Sequence, residues 1–300
     1  MGWFPIEMEK MTTKYFWRLA PLIFVVFWSG GYTFAKLGLT YIEPMTMLAV
    51  RYGIAVCLLL PIIFLFSRPW PTTVKYWLVL MITGFLMQCV YFGLSYLAFK
   101  KGINAGTAAV IMSLQPILVA ALGPAVIGTR GGRHLWAGLI IGFIGVALVV
   151  MSGNSLGPSP WTAVFLALSA LTGITLATLF EKWHGMKTDP MIGGFVQYIV
   201  GFFFLMPVAI MTETMVIIWH PELIISLAYL VIANSIVSVG IYMALLQRGD
   251  ATSISSLLYL VPPLAMFIAW TVLDETITKL ALAGFALSAV GVFIVVKRSS

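Results

Sequence analysis

Charge is what this sequence has least of. Of its 300 residues only 9% are charged while 61% are hydrophobic, against about 25% and about 45–50% in soluble domains. A water-facing fold needs the missing charge to cover its surface, so this surface has to meet lipid. Cysteine is scarce too. Cys57 and Cys89 both lie in apolar runs, which reads as small core residues and not as a disulfide or metal site. His134, His184 and His220 fall in connecting stretches and form no metal-ligand spacing with cysteine, so neither a metal nor a cofactor is expected. The net charge of +7 is scattered, with no basic stripe and no interleaved aromatics. That argues against nucleic acid and for the phospholipid headgroup as the anionic partner. A cleavable leader is not expected, because Glu7 and Glu9 interrupt the start and the next apolar run has full spanning length.

What is present is a succession of apolar runs. A spanning helix takes about 20 mostly apolar residues. Runs of that kind fall near 18–38, 44–66, 76–99, 104–127, 134–152, 160–182, 190–211, 223–246, 251–273 and 277–296. The expected fold is therefore an all-α membrane protein with ten transmembrane helices. Breakers such as Arg68-Pro69-Trp70-Pro71 and His220-Pro221 separate the runs, and no connection is long enough for a soluble domain. Ten spans place both termini on one side. That side holds Lys10, Lys14, Arg18, Arg68, Lys75, Arg130, Arg133, Lys182, Lys187, Arg248, Lys297 and Arg298, against Lys100, Lys101 and Lys279 opposite. Under the positive-inside rule both termini are cytoplasmic, in a bacterial inner membrane.

The two halves align on each other at an offset of 146 residues. Glu43-Pro44-Met45 falls on Asp189-Pro190-Met191, Val50-Arg51-Tyr52 on Val196-Gln197-Tyr198, Lys36 on Lys182, Gln88 on Asn234, and Gly138 and Gly145 on Gly284 and Gly291. Five spans per half is an odd number, so the second copy enters the membrane from the opposite side. Such inverted repeats recur in secondary transporters. The expected organisation is a tail at 1–16, a five-helix repeat at 17–152, a linker at 153–157 and a second repeat at 158–297. The expected fold places the two inverted repeats around a central cavity.

Corresponding interruptions in the two halves point to a binding site. Pro116 follows Ser113-Leu114-Gln115 in the fourth span, and Pro262 and Pro263 interrupt the ninth. Each proline frees a carbonyl one turn back, at Met112 in one half and at Leu258 and Tyr259 in the other. These prolines read either as hinges over a solvated cavity or as plain structural kinks. Gln88, Tyr91 and Ser95 share one face of the third span, and Asn234, Ser238 and Tyr242 one face of the eighth. Polar stripes of this kind line a cavity or bond neighbouring helices together. Trp28 and Tyr32 on the first span, Gln115 on the fourth and Tyr259 on the ninth complete the candidate lining. Arg51 is the one charge well inside a span, placed to receive a substrate carboxylate or to clamp neighbouring helices. Lys36 lies near the end of its span, where it can snorkel outward.

All ten acids lie in tails, loops or span ends, which argues against coupling through a buried carboxylate. No nucleophile–base pair or paired acids mark an enzyme. The glycines of the fifth and tenth spans lack the strand and lysine of a phosphate loop. They read as close-packing positions, with a homodimer face as a further option.

The chain resembles the drug/metabolite transporter superfamily, in its EamA-like branch, over nearly its whole length. The resemblance rests on Trp28, Ser29 and Lys36 in the first span, Pro44 and Arg51 at the second, and Pro116 followed by the glycine-rich helix at Gly138. The sequence departs from the pattern at Thr129, where the family carries a Glu that the second copy keeps as Glu275. The resemblance implies ten helices in two inverted repeats, a central cavity from the first, third, fourth, sixth, eighth and ninth spans, and a small organic solute as partner. It further implies efflux of amino acids, related metabolites or amphipathic toxic compounds.

Overall fold

The computed structural model describes residues 4–66, 68, 70–127, 133–152, 160–184, 189–241 and 260–299, and every regular element among them is a helix. The first half runs α1 (Phe4–Gly38), α2 (Pro44–Leu65), α3 (Val74–Gly84), a π-helical segment π1 (Phe85–Phe92), α4 (Gly93–Lys100), α5 (Ala105–Met112), α6 (Gln115–Ile127) and α7 (Arg133–Ser152). The second runs α8 (Trp161–His184), α9 (Pro190–Thr212), α10 (Pro221–Ala228), a second π segment π2 (Tyr229–Ser238), α11 (Val261–Leu273) and α12 (Lys279–Ser299). Helix α1 reaches back to Phe4, into the stretch read from sequence as a tail.

Seven stretches are long and apolar enough to cross a membrane: Leu19–Gly38, Pro44–Leu65, Val74–Lys100, Ala105–Gly123, Trp161–His184, Met191–Thr212 and Pro221–Ile241. Three shorter apolar helices are Trp136–Ser152, Val261–Leu273 and Lys279–Ile294. Large apolar side chains such as Phe64, Trp161, Phe165, Phe203 and Met211 are exposed on these helices. In water that surface would drive aggregation; in a bilayer it is the solvated face. The chain is a multi-pass membrane protein.

Helix starts are capped from across the chain. Pro44 opens α2 at a position where a missing N–H costs nothing. The next two amides, of Met45 and Thr46, each donate at 2.8 Å to the carboxylate of Glu213, which follows α9. Asp189 caps its own helix, accepting from the Met191 and Ile192 amides at 2.9 and 3.3 Å. Glu43 accepts instead from the Thr214 amide at 2.6 Å and the Thr214 hydroxyl at 2.7 Å. Those donors, the hydroxyl foremost, hold the Glu43 carboxyl below its ordinary range.

The packing is reciprocal between residues 146 apart. Helix α2 lies along α9, and α7 along α12; π1 packs on α8 as π2 packs on α1. Tyr52 stacks on Tyr198 with centroids 5.6 Å apart. The Ser288 hydroxyl donates to the Gly142 carbonyl at 3.3 Å. The Glu43–Thr214 contact has its counterpart in Arg68 Nη1, which donates to Asp189 at 3.3 Å. Apolar burial does not drive helices together within lipid, so close backbone approach matters more. A Cβ at Gly291 would stand 2.6 Å from both the Gly138 oxygen and the Gly142 nitrogen, so α7 and α12 can approach this closely here only because glycine is there.

Both long polar-striped helices widen into π-helix at equivalent positions, with Gln88 in π1 and Asn234 in π2. Each sits against a glycine of the other half. A Cβ at Gly31 of α1 would stand 2.6 Å from Asn234 Nδ2, and one at Gly173 of α8 would stand 2.8 Å from Val90. A π turn rotates the side chains that follow it relative to α-helical spacing, and π segments occur often at functional sites.

Candidate functional site

The sequence-expected polar residues converge on Arg51. It sits two turns into α2 with 1% of its surface exposed. Its Nη1 donates to the Tyr96 hydroxyl at 2.9 Å and its Nη2 to Asn234 Oδ1 at 2.9 Å. Nε and Nη2 both reach the Ser235 hydroxyl oxygen, at 3.1 and 2.9 Å. The guanidinium carbon lies 4.8 Å from the centre of the Phe92 ring, within the range of a cation–π contact. One side chain from the first half is thus held by α4, π1 and π2 together.

Around it lies a chamber walled by Trp28, Gly31, Tyr32 and Ala35 of α1, Tyr91 and Phe92 of π1, Ser95, Tyr96 and Phe99 of α4, and Asn234 of π2. Asn234 Nδ2 donates to the Phe27 carbonyl at 3.2 Å, so Asn234 ties α1 to Arg51. The Ser95 hydroxyl is buried with no partner among the described residues. The cavity volume is about 30 Å³, room for a water or two. Sites for small molecules are about 300–1,000 Å³, so the chamber in this arrangement is too small to hold one.

A larger hollow of about 430 Å³ lies between α2 and α9, lined by residues such as Ile54, Cys57, Leu58, Phe202 and Met206. The Thr46 hydroxyl at its edge is committed to Glu213. Nothing polar is left there to orient a solute, and Ile54, Cys57 and Leu58 belong to the exposed face of α2.

Of the residues singled out in the sequence, the chamber brings together Trp28, Tyr32, Arg51, Tyr91, Ser95 and Asn234. Gln88 is not among its walls. It donates to Gln197 Oε1 at 3.4 Å, and its own carbonyl accepts from the Tyr52 hydroxyl at 3.1 Å. The π turns of π1 rotate Gln88 away from Tyr91 and Ser95, whose common face assumed an α-helical period throughout. The Ser238 hydroxyl donates to the Phe24 carbonyl at 3.4 Å, and Gln115 Nε2 to the Thr178 hydroxyl at 2.9 Å; both are interhelical links beyond the chamber wall. Tyr242 and Tyr259 lie outside the described residues, as does Thr129. Pro116 stands in the first turn of α6, after a break at Ser113-Leu114, and Pro262 and Pro263 in the first turn of α11. At a helix start the missing N–H would be unbonded in any case, so at Pro116 the chain resolves the expected kink as a full interruption.

Lys36 does not snorkel freely. Its Nζ lies 2.6 Å from Glu275 Oε1 and 3.4 Å from Asn104 Oδ1. Glu275 also accepts from the amides of Ala105 and Gly106 at 2.9 and 3.4 Å, which caps α5. Asn104 stands at the cap position of α5 with no side-chain cap bond, so the anion of Glu275 takes the place at that helix N-terminus; as a preferred cap residue Asn104 gave no sign of this in the sequence.

The chain has relatives. The sequence pattern of the EamA-like transporter family matches residues 16–151 and again 161–297. A Salmonella typhimurium protein named as a probable amino-acid metabolite efflux pump is 26% identical over 284 residues, covering 91% of this chain and 92% of its own. An Escherichia coli protein named as the uncharacterized inner membrane transporter YedA is 22% identical over 270 residues, covering 88% and 87%. A solved crystal structure superimposes with a TM-score of 0.62 at 16% identity, covering 92% of this chain and 94% of its own, which speaks to the fold alone. Two successive matches that together span most of the chain, on a bundle built from apolar helices, lead to one conclusion: the chain belongs to the EamA-like transporter family.

Proposed function

We propose that this protein is a ten-span secondary transporter, built from two inverted five-helix repeats at 17–152 and 158–297, that exports amino acids or related small metabolites by alternating access. The observation that carries the reading is the reciprocal contact set around the chamber. Arg51 bonds Asn234 while its counterpart Gln197 bonds Gln88, each across the two halves. Helices that pair with their own counterparts, α2 with α9 and α7 with α12, are what a pseudo-two-fold axis through the bundle produces. Two halves joined in that way can exchange conformations, which opens a central site to one face and then the other.

The three shorter apolar helices fall within the remaining expected spans, which supports a count of ten. The basic residues on the side of the termini support cytoplasmic ends, and the relative named as an inner membrane transporter supports that location. The name of the Salmonella relative supports amino-acid metabolites as the solute class. The aromatic walls favour a second reading, efflux of amphipathic compounds, because flat apolar bodies stack on such rings.

Solute counterflow into proteoliposomes tests the proposal. Chemically unchanged amino acid accumulating in loaded vesicles, and not in vesicles lacking the protein, is the expected result. Conversion of the solute, or no flux for any amino acid or amphipathic compound, overturns it.

A further inference from the structure

Arg51 carries its charge into the bundle with no acid beside it among the described residues. The ion pairs among the described residues, Lys36–Glu275 and Arg68–Asp189, both leave it out. A guanidinium has five N–H donors. Here four hydrogen bonds run from it, all to neutral oxygens of Tyr96, Asn234 and Ser235. Neutral oxygens solvate a buried cation without neutralising it, and an uncompensated charge in that setting is costly.

The geometry of those bonds is more telling than their number. The edge formed by Nε and Nη2 is the fork that takes the two oxygens of a carboxylate. In this structure both donors converge on a single oxygen, the Ser235 hydroxyl. On α4, the buried Ser95 hydroxyl lines the same chamber as Arg51 with no partner among the described residues. A fork filled by one oxygen and an orphaned hydroxyl in one chamber describe a place for an anion with several oxygens.

We infer that Arg51 is the receptor for a carboxylate on the transported solute, and that Ser235 and Asn234 hold its donors only while the chamber is empty. The inference rests on the transport reading and narrows it to acids and zwitterions. The aromatic rings beside Arg51 suit an apolar body, and their faces also accept an ammonium group. Among the described residues no acid lines the chamber, so an amphipathic cation without a carboxylate meets the rings together with the like charge of Arg51, which nothing it carries offsets. A coupling follows from which elements are involved. Arg51 belongs to α2, and Ser235 and Asn234 to π2. A carboxylate that takes over the fork releases π2 from α2, and that separation is what the small chamber needs in order to admit a solute.

The test compares matched probes on the full chain in proteoliposomes: L-phenylalanine and L-leucine, their amides, and tetraphenylphosphonium. Counterflow of the acids at least tenfold faster than of their amides, with no movement of tetraphenylphosphonium, is expected. Arg51→Lys keeps the charge and loses the fork, so the preference for acid over amide should shrink about tenfold. Amides or tetraphenylphosphonium moving as well as the acids overturns the inference and leaves the transport reading standing. No movement of any probe overturns both. The wild-type comparison decides even where Arg51→Lys fails to fold, and an Arg51→Lys protein that folds and keeps the full preference also overturns the inference.

Discussion

Glu275→Gln removes one charge from the point where α1, α5 and the end of α11 meet. The wild-type carboxylate holds the Lys36 ammonium at 2.6 Å and the Ala105 amide at 2.9 Å, and a hydrogen bond to a charged group contributes about 1.5–3 kcal/mol. Glutamine retains an acceptor oxygen, so only the ionic part is lost. The side chains of Lys36 and Glu275 are 25% and 10% exposed, so solvent screens the pair in part, and an exposed pair would contribute at most about 1 kcal/mol. Adding the loss of anionic charge at the start of α5, roughly 0.5 kcal/mol, the closed arrangement should weaken by about 1.5 kcal/mol. That is on the order of a tenfold rise in the fraction open at this end. A single cysteine at Ala35, a buried wall position, reports it in a background with Cys57 and Cys89 replaced by Ser. Alkylation by a membrane-impermeant maleimide from the face that carries Lys36 should accelerate by that order. Adding Lys36→Gln should change little further, because the partner is already gone. An unchanged rate in a folded Glu275→Gln protein, or additive effects of the two substitutions, would show that this pair does not hold the end closed.

Gly291→Ala should lower the melting temperature by several degrees, since backbone on two sides blocks the new methyl and overpacking costs about 1–3 kcal/mol. Gly240→Ala, where a Cβ meets nothing within 4 Å, is the control and should leave it level or slightly raised. Glu43 contributes stability that is fully present above its unfolded pKa and is lost as pH falls through its lowered folded value. Thermal unfolding of Glu43→Gln should therefore lie below the wild type at neutral pH and meet it in strong acid; a gap that persists at the lowest pH counts against the Thr214 bonds as its cause. Solute flux should proceed without stoichiometric proton movement, as read by a pH-sensitive dye inside the vesicles, because no described acid lines the chamber. A fixed proton-to-solute ratio would contradict that.

How much of this was legible in the chain differs from residue to residue. Membrane character follows from apolar run length alone, because each span satisfies its own backbone hydrogen bonds and needs no partner to be recognised. The offset of 146 was legible for a similar reason: pairs such as Arg51 and Gln197, or Gln88 and Asn234, keep their spacing whatever the fold does. Arg51 stood out because one charge in an apolar run is conspicuous. Nothing local in the sequence distinguishes its partner Ser235 from the other small residues of its helix. The polar stripe on the third span was read with a period of 3.6, and π1 alters that period between Gln88 and Ser95.

Sequence by itself determined that the chain lives in lipid, that it is written twice, and that a lone arginine had to be accommodated inside it. Those are properties of composition and spacing along a line. Only the tertiary structure decided what meets what: Glu275 with Lys36 and the start of α5, Glu213 with the start of α2, Asn234 and Ser235 with Arg51. Each of these contacts joins residues more than 160 positions apart. Hydrogen-bond geometry at that separation depends on how helices pack and where they widen, which no local pattern carries.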